Sequence, residues 1–443
     1  MDVVVVGHGT AGQTAAAVVK KVSPDAQVTV LEKHNYVAYH PCSLPAVLGG
    51  KLRLEDVIER VPKGKVRVIT GATAKLVDQE AKEVIFERDG STDSLPYDKV
   101  ILATGLKPSF PPVEGLQLEG VGTVWDVESV ESLLKFLGNK VVVVGGSATG
   151  IEVAAELAST GRDVTLIEMM EQLMPGKVDP PIASTVAKHL KDMGVKVHLK
   201  TALQELRGEG GKLKEVVTNR GTFEAETAIV VTGAKPNVDL AKRSGLPLGK
   251  SGVKVDEYLY STEHVLAAGD VAEVKDFVTG RPITTGLAST ALVQGRIAGE
   301  NVVGRVIKYR GALSPYVVKV GEFSFGGVGI SATQASRLGM KYLSFRFSGF
   351  DLPRYMPEKR RVFVWLVTTP DGKLIGAQLF GRRIRQHLTF LTAAIYAGFR
   401  VQDIRLMEFA YQPEIIDVVD PVASAAEGIS RKYRLITSQS PTY

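Results

Sequence analysis

Two runs of four valines, Val3–Val6 and Val141–Val144, show no polar alternation. A strand with one wet face alternates, whereas an unbroken apolar run marks a strand buried on both faces, as in a parallel sheet. Each run leads into a glycine-rich turn and then an Ala/Val-rich helical stretch: "DVVVVGHGTAGQTAAAVVKK" opens the chain, and "KVVVVGGSATGIEVAAELAS" repeats the pattern. In both repeats a further strand follows and ends on an acid, "AQVTVLEK" at Glu32 and "DVTLIE" at Glu168. "YDKVILATGLKP" predicts a strand over 99–103 before Thr104-Gly105, and "AIVVTGAKPN", ending at Asn237, resembles it. "EHVLAAGDVAEV" predicts a strand before Gly269-Asp270. The pattern predicts an α/β chain with two parallel, helix-covered sheets.

The turns carry chemistry. Gly7, Gly9 and Gly12 stand in G-x-G-x-x-G spacing, and Glu32 lies twenty residues past Gly12. The first glycine permits a tight turn, the second lets a pyrophosphate approach the backbone, and the third lets the helix pack on the strand. The helix start then offers free N–H groups and the positive dipole end to phosphate. The second repeat has Gly145, Gly146, Ser147 and Gly150, with Glu168 eighteen residues on. Ser147 replaces the middle glycine. Two dinucleotide sites in one chain are therefore expected. Glu168 accepts a ribose 2′-OH and repels a 2′-phosphate, and with Met169 and Met170 next in line NADH is expected over NADPH. Asp270 is expected at the carboxyl edge of a parallel sheet, where ligands bind.

At about 100–200 residues per domain, 443 residues point to three domains. A net charge of +6 without a long Lys/Arg block favours anionic small molecules and gives no sign of nucleic acid. No apolar run approaches the roughly 20 residues of a membrane span, and "MDVVVVGHG" has neither basic n-region nor cleavage site. Cys42 is the one cysteine, so neither an internal disulfide nor a multi-cysteine metal site is open to the chain. That usage fits a reducing cytoplasm. On its own, Cys42 reads either as a small buried apolar residue or as a reactive thiol.

Gly7-x-Gly9-x-x-Gly12…Glu32, Ala103-Thr104-Gly105, the second glycine turn with Glu168, and "AAGD" at 267–270 together resemble the FAD/NAD-linked disulfide oxidoreductases. Two-cysteine members carry C-x4-C. Here Cys42 stands alone, followed by "SLPAVLGG", which resembles the single-cysteine branch of coenzyme A disulfide reductases, persulfide and polysulfide reductases, NADH oxidases and NADH peroxidases. "RYMP" (354–357), "KLIGAQLFG" (373–381), "AAIYAGFRVQDI" (393–404) and "FAYQPEIIDVVDPV" (409–422) look like that branch's interface domain. The resemblance implies two Rossmann-like domains, binding FAD and NAD, plus a C-terminal α+β dimerisation domain. The expected divisions are an FAD domain in two parts (1–108 and 242–310), an NAD domain at 109–241 and an interface domain at 311–443.

The resemblance also implies site residues. Cofactor contacts are expected from Gly7, Gly9, Thr10, Ala11, Gly12, Glu32, Lys33, Cys42, Ala74, Ala103, Thr104, Gly105, Gly269, Asp270 and Ala288 for FAD. Gly145, Ser147, Ala148, Thr149, Gly150, Glu152, Glu168 and Gly233 are expected at the nicotinamide side. Cys42 is expected against the flavin, with a helix start behind it lowering its thiol pKa. Tyr355 and Tyr411 are expected to supply acid groups from the partner of a homodimer. Lys20 and Lys21 read either as holders of CoA phosphates or as solvated helix charges, and His40 and Ser43 flank Cys42 as substrate contacts. No metal site is expected.

Three departures bear on the acceptor. Where peroxidases and oxidases of the branch have a histidine in the first glycine turn, this chain has Thr10. Pro41 precedes the cysteine where CoA-disulfide enzymes commonly have Asn. Ala148 stands where a tyrosine often gates the nicotinamide pocket. The expected function is NADH-dependent reduction of a low-molecular-weight persulfide, polysulfide or CoA-type disulfide. An NADH oxidase, or an electron-transfer reductase of a redox protein, is the alternative.

Overall fold

A computed structural model describes residues 1–62 and 66–438. The first sheet is five-stranded, in the order Val265–Ala267, Lys99–Leu102, Asp2–Val6, Gln27–Leu31, Arg67–Ile69, and every pair is parallel. Val3–Val6 lie at its centre, buried on both faces as their lack of alternation requires. The second five-stranded parallel sheet runs Val121–Gly122, Thr227–Val230, Lys140–Val144, Asp163–Glu168, Lys196–Leu199. Its valine run is again central and buried. The third sheet is antiparallel, in the order Tyr316–Val320, Phe323–Gly329, Leu374–Gly381, Arg361–Thr368, Leu343–Phe350. Helices Arg385–Ala397 and Pro421–Ser438 pack with it around their own core.

The chain leaves the first sheet for the second through Leu106–Pro108 and returns through Ala234–Pro236. These two similar segments, "LKP" and "AKP", pair antiparallel with each other. Two three-stranded antiparallel sheets, Thr73–Asp78 with Glu83–Arg88 and Ser91–Pro96, and Leu203–Glu209 with Lys212–Thr218 and Gly221–Glu224, complete the layers.

Helix Thr10–Val22 packs on helix Ala288–Asn301. Gly295 and Gly299, one turn apart, make that approach possible: a Cβ at Gly295 would stand 2.5 Å from the Ala11 carbonyl oxygen, and one at Gly299 2.7 Å from that of Ala15. The polar tail after Ile429, which reads as flexible from composition, continues as helix to Ser438. Ile429 and Ser430 are buried, and Lys432 Nζ donates to the Ser344 carbonyl at 2.8 Å. The last five residues of that tail, 439–443, lie outside the described part. Among the described residues no helix is long and apolar enough to cross a membrane, and no group of ligating side chains could hold a metal ion.

Candidate functional site

The carboxyl edges of both parallel sheets open on one cleft of about 1260 Å³. Gly7 adopts φ +97° and its neighbour across the turn is the Ala103 backbone, so no side chain fits there. Gly12 packs against the Gly7 carbonyl. A Cβ on Gly9, in contrast, would meet nothing within 4 Å, which leaves the room a pyrophosphate requires. Gly145 (φ +113°) and Gly150 repeat the same close packing in the second turn.

The two acids are held alike. Glu32 is buried at the end of its strand; its Oε2 accepts from the His8 backbone N–H at 2.8 Å and its Oε1 from that of His34 at 3.0 Å. Glu168 accepts from Gly146 N at 2.7 Å and Met170 N at 2.8 Å. Each carboxylate is thus fixed at a strand end beside a glycine turn. His8 also lines the cleft, with its Nδ1 bonded to the Val37 carbonyl at 2.7 Å.

Most of the sequence-expected cofactor contacts converge. Gly7, Gly9, Thr10, Ala11, Glu32, Lys33 and Ala74 line the cleft, as do Ala103, Thr104, Gly105, Gly269, Asp270 and Ala288. From the second repeat, Ser147, Ala148, Thr149, Glu152 and Gly233 line it too. Gly12, Gly145, Gly150 and Glu168 stand behind this surface and shape it. Gly269 is positioned by Gln294, a fully buried side chain whose Oε1 accepts from the Gly269 N–H at 2.7 Å.

Cys42 sits on the cleft wall in a three-residue 3-10 turn, Pro41–Ser43, ahead of helix Leu44–Leu48. That helix buries Leu44, Val47 and Leu48 against helix Ala148–Ala158, and Lys51 pairs with Glu156 at 2.5 Å. The thiol pKa departs from expectation. Five residues make too short a helix for a useful dipole. The cleft walls strip solvent from the sulfur, and that burial pushes the thiol above its ordinary value, with Glu152 and Asp270 adding repulsion. Burial raises the Glu152 carboxyl to about 7, against a backbone bond from Lys319 N at 3.2 Å. Burial raises Asp270 as well, partly offset by a bond from Leu287 N at 3.2 Å. Three acidic groups around one space therefore resist being charged together.

A rate follows from that arrangement. Alkylation of Cys42 by iodoacetamide, followed by mass spectrometry, should rise with pH with a midpoint above the ordinary thiol value of about 8.5. Glu152→Gln removes one repelling charge and should lower the midpoint. A wild-type midpoint below the ordinary value would overturn this electrostatic account.

Other expected substrate contacts lie elsewhere. Lys20 Nζ donates to the Pro24 and Ala26 carbonyls at 2.5 and 2.8 Å, so its charge is spent on the loop after its own helix. Neither Lys20 nor the exposed Lys21 lines the cleft. His40 Nε2 faces Glu59 at 3.0 Å, and Ser43 is likewise outside the lining. Tyr355 and Tyr411 are exposed, hydrogen-bonded to each other at 3.3 Å, and absent from their own chain's cleft. The bond to Tyr411 holds the Tyr355 phenol above its ordinary pKa. Sequence reasoning missed an aromatic pair beside the cleft: Tyr39 lines it, and Tyr36 and Tyr39 bond to Glu128 and to the Trp125 carbonyl, joining the first sheet's loops to the second unit.

The model of the pyridine nucleotide-disulphide oxidoreductases matches residues 1–295, and that family's dimerisation domain matches 316–422. The chain belongs to the pyridine nucleotide-disulphide oxidoreductase family. Within it, this oxidoreductase is 32% identical to a protein named NADH oxidase from Methanocaldococcus jannaschii, over 98% of this chain and 99% of the other. It is 30% identical to an NAD(P)H coenzyme A polysulfide/persulfide reductase of Pyrococcus horikoshii, over 95% and 96%. Among solved structures, a NAD-dependent persulfide reductase from A. fulgidus superposes with a TM-score of 0.94 at 32% identity, covering 98% of this chain and 84% of that one.

Proposed function

We propose that this flavoprotein oxidoreductase uses FAD, held by residues 1–108 and 242–310, and NADH, held by residues 109–241, to reduce a low-molecular-weight persulfide, polysulfide or CoA-type disulfide at Cys42. The observation that carries the reading is the position of Cys42: the chain's one thiol lines the cleft that both glycine turns share. The similarity to persulfide reductases over nearly the whole chain supports it. The cradle fits FAD, since Gly9 is open and the Glu32 carboxylate is fixed beside it. FAD, when bound, supplies the two-electron relay from NADH to the sulfur attached at Cys42.

The chain's own part starts with the Cys42 thiolate. It attacks one sulfur of the acceptor, a new S–S bond forms, and the old S–S bond breaks with loss of a thiolate or hydrosulfide. Two electrons originating in NADH then cleave the new bond, which restores Cys42 and releases the second thiol. For a persulfide the sum is RSSH + NADH + H⁺ → RSH + H₂S + NAD⁺. The leaving thiolate needs a proton. Tyr355 and Tyr411 reach a cleft only across a dimer, so we assign them to the partner's site in a homodimer built by residues 311–443. An exposed apolar row beside them, including Leu406, Ile415, Val418 and Val419, supports that interface. Lys20 gives no support to a CoA-phosphate role.

A second reading, reduction of oxygen, is favoured by the similarity to the M. jannaschii protein. Thr10 weighs against it, since it stands where peroxidases and oxidases of the branch carry the histidine that steadies a sulfenic acid, and the His8 ring is tied to the Val37 carbonyl. The deciding experiment is steady-state NADH and NADPH consumption by the yellow, FAD-loaded protein. The acceptors are CoA disulfide, glutathione persulfide, polysulfide, oxygen and peroxide. Sulfur acceptors should be fastest and NADH should outpace NADPH. Oxygen or peroxide as the best acceptor would overturn the sulfur reading.

A further inference from the structure

The cleft lining also includes residues outside the two glycine turns. Gly176 and Lys177, from the loop after the Glu168 strand, and Gln334 and Arg337, from the dimerisation domain, are among them, so the lining spans the seam between the two. The seam is a built structure. Met174 N donates to the Gly146 carbonyl at 2.8 Å, and Gly146 N donates to Glu168 at 2.7 Å, so the loop 173–179 is continuous with the second dinucleotide turn.

Asp179 closes that loop and is 1% exposed. Its Oδ2 accepts from Ala332 N at 2.9 Å and Gln378 Nε2 at 3.2 Å. Its Oδ1 accepts from Thr333 N at 2.8 Å and Thr333 Oγ1 at 2.6 Å. The buried carboxylate thereby fixes helix Ala332–Arg337. Arg337, at the far end of that helix, comes back to Gly176, where a Cβ would stand 3.3 Å from a guanidinium nitrogen. Neither Arg337 nor Lys177 makes an ion pair among the described residues. Two uncompensated cations from two domains thus face a cleft that also holds the start of helix Ala148–Ala158, and such a surface attracts anions.

We propose that Arg337 and Lys177 form a phosphate clamp for the bound nicotinamide dinucleotide, with Asp179 as the positioning residue. The clamp rests on the reading that the second glycine turn holds that dinucleotide. A guanidinium suits phosphate because it presents paired donors in a plane. The phosphate has two possible sources: the pyrophosphate common to NADH and NADPH, and the 2′-phosphate of NADPH alone.

Calorimetry on the FAD-loaded protein separates them, with ADP-ribose, 2′-phospho-ADP-ribose and adenosine as probes. The Arg337→Gln/Lys177→Gln double variant should bind ADP-ribose about tenfold more weakly and with a shallower salt dependence, while adenosine binding is unchanged. Arg337→Lys should recover part of the loss. Asp179→Asn should weaken ADP-ribose and flatten its salt dependence in the same direction. A loss confined to the 2′-phospho probe also supports the clamp and assigns it to the 2′-phosphate. Unchanged binding of both phosphate probes in the double variant overturns the clamp alone. Failure of the wild type to bind ADP-ribose overturns the dinucleotide reading and the clamp with it.

Discussion

Replacing Cys42 with serine should lower NADH-dependent reduction of persulfide and disulfide acceptors by roughly 10³-fold or more, because the nucleophile itself is removed. The same variant should keep its flavin and should still pass electrons from NADH to a dye, since that transfer needs no thiol. Cys42 lies in a short turn on the cleft wall and is not part of the hydrophobic core, and the apolar anchors of the next helix, Leu44, Val47 and Leu48, are untouched, so the fold should stand. No other cysteine exists to substitute for it. The measurement is NADH oxidation with glutathione persulfide, and with a dye, for wild type and variant. Wild-type persulfide rates in the serine variant would make the thiol incidental, and the protein would then be read as an electron-transfer reductase.

The second large effect concerns the first glycine turn. Gly12→Val should yield protein without flavin, or none that is folded. A side chain at residue 12 collides with the Gly7 carbonyl and touches Ala103, and these are backbone and core atoms at the carboxyl edge of the first sheet. No flexible side chain is available to move aside, so the cost exceeds the ~1–3 kcal/mol of ordinary overpacking. Gly9→Ala is the informative control. Its new methyl meets no protein atom. It should fold normally yet release FAD more readily, because it takes space the pyrophosphate needs. Visible absorbance of the purified proteins, with melting curves, distinguishes the two. Equal flavin content in wild type and both variants would contradict the role given to this turn.

What could be read from sequence is what is decided locally. An unbroken valine run has one good home, the middle of a parallel sheet, and a glycine triplet behind it has one good shape. Both sheets and both carboxylate strand ends follow from those two facts. Charge is harder to read. Lys20 looks free in the sequence, yet its amine is captured by carbonyls four and six residues on. The Cys42 thiol looks acidified by a helix, but the cleft walls strip it of solvent and push its pKa up, and Glu152 and Asp270, more than 100 residues away along the chain, add repulsion in the same direction. The Asp179 latch joins residues 199 apart in sequence through Gln378, and no local pattern marks either partner.

The paired segments Leu106–Pro108 and Ala234–Pro236 have a consequence for how such a chain is put together. Because they lie side by side in one antiparallel ladder, the two ends of the intervening stretch are about 5 Å apart. From the first sheet's standpoint, more than a hundred residues replace what a hairpin turn would do, and the first sheet need not stretch to admit them. The same proximity means the stretch can be cut out and its ends joined by a short turn. The stretch is thus inserted in connectivity but not in packing: helix Leu44–Leu48, next to the thiol, buries its apolar side chains against helix Ala148–Ala158 of that stretch, so the two parts keep their shape together.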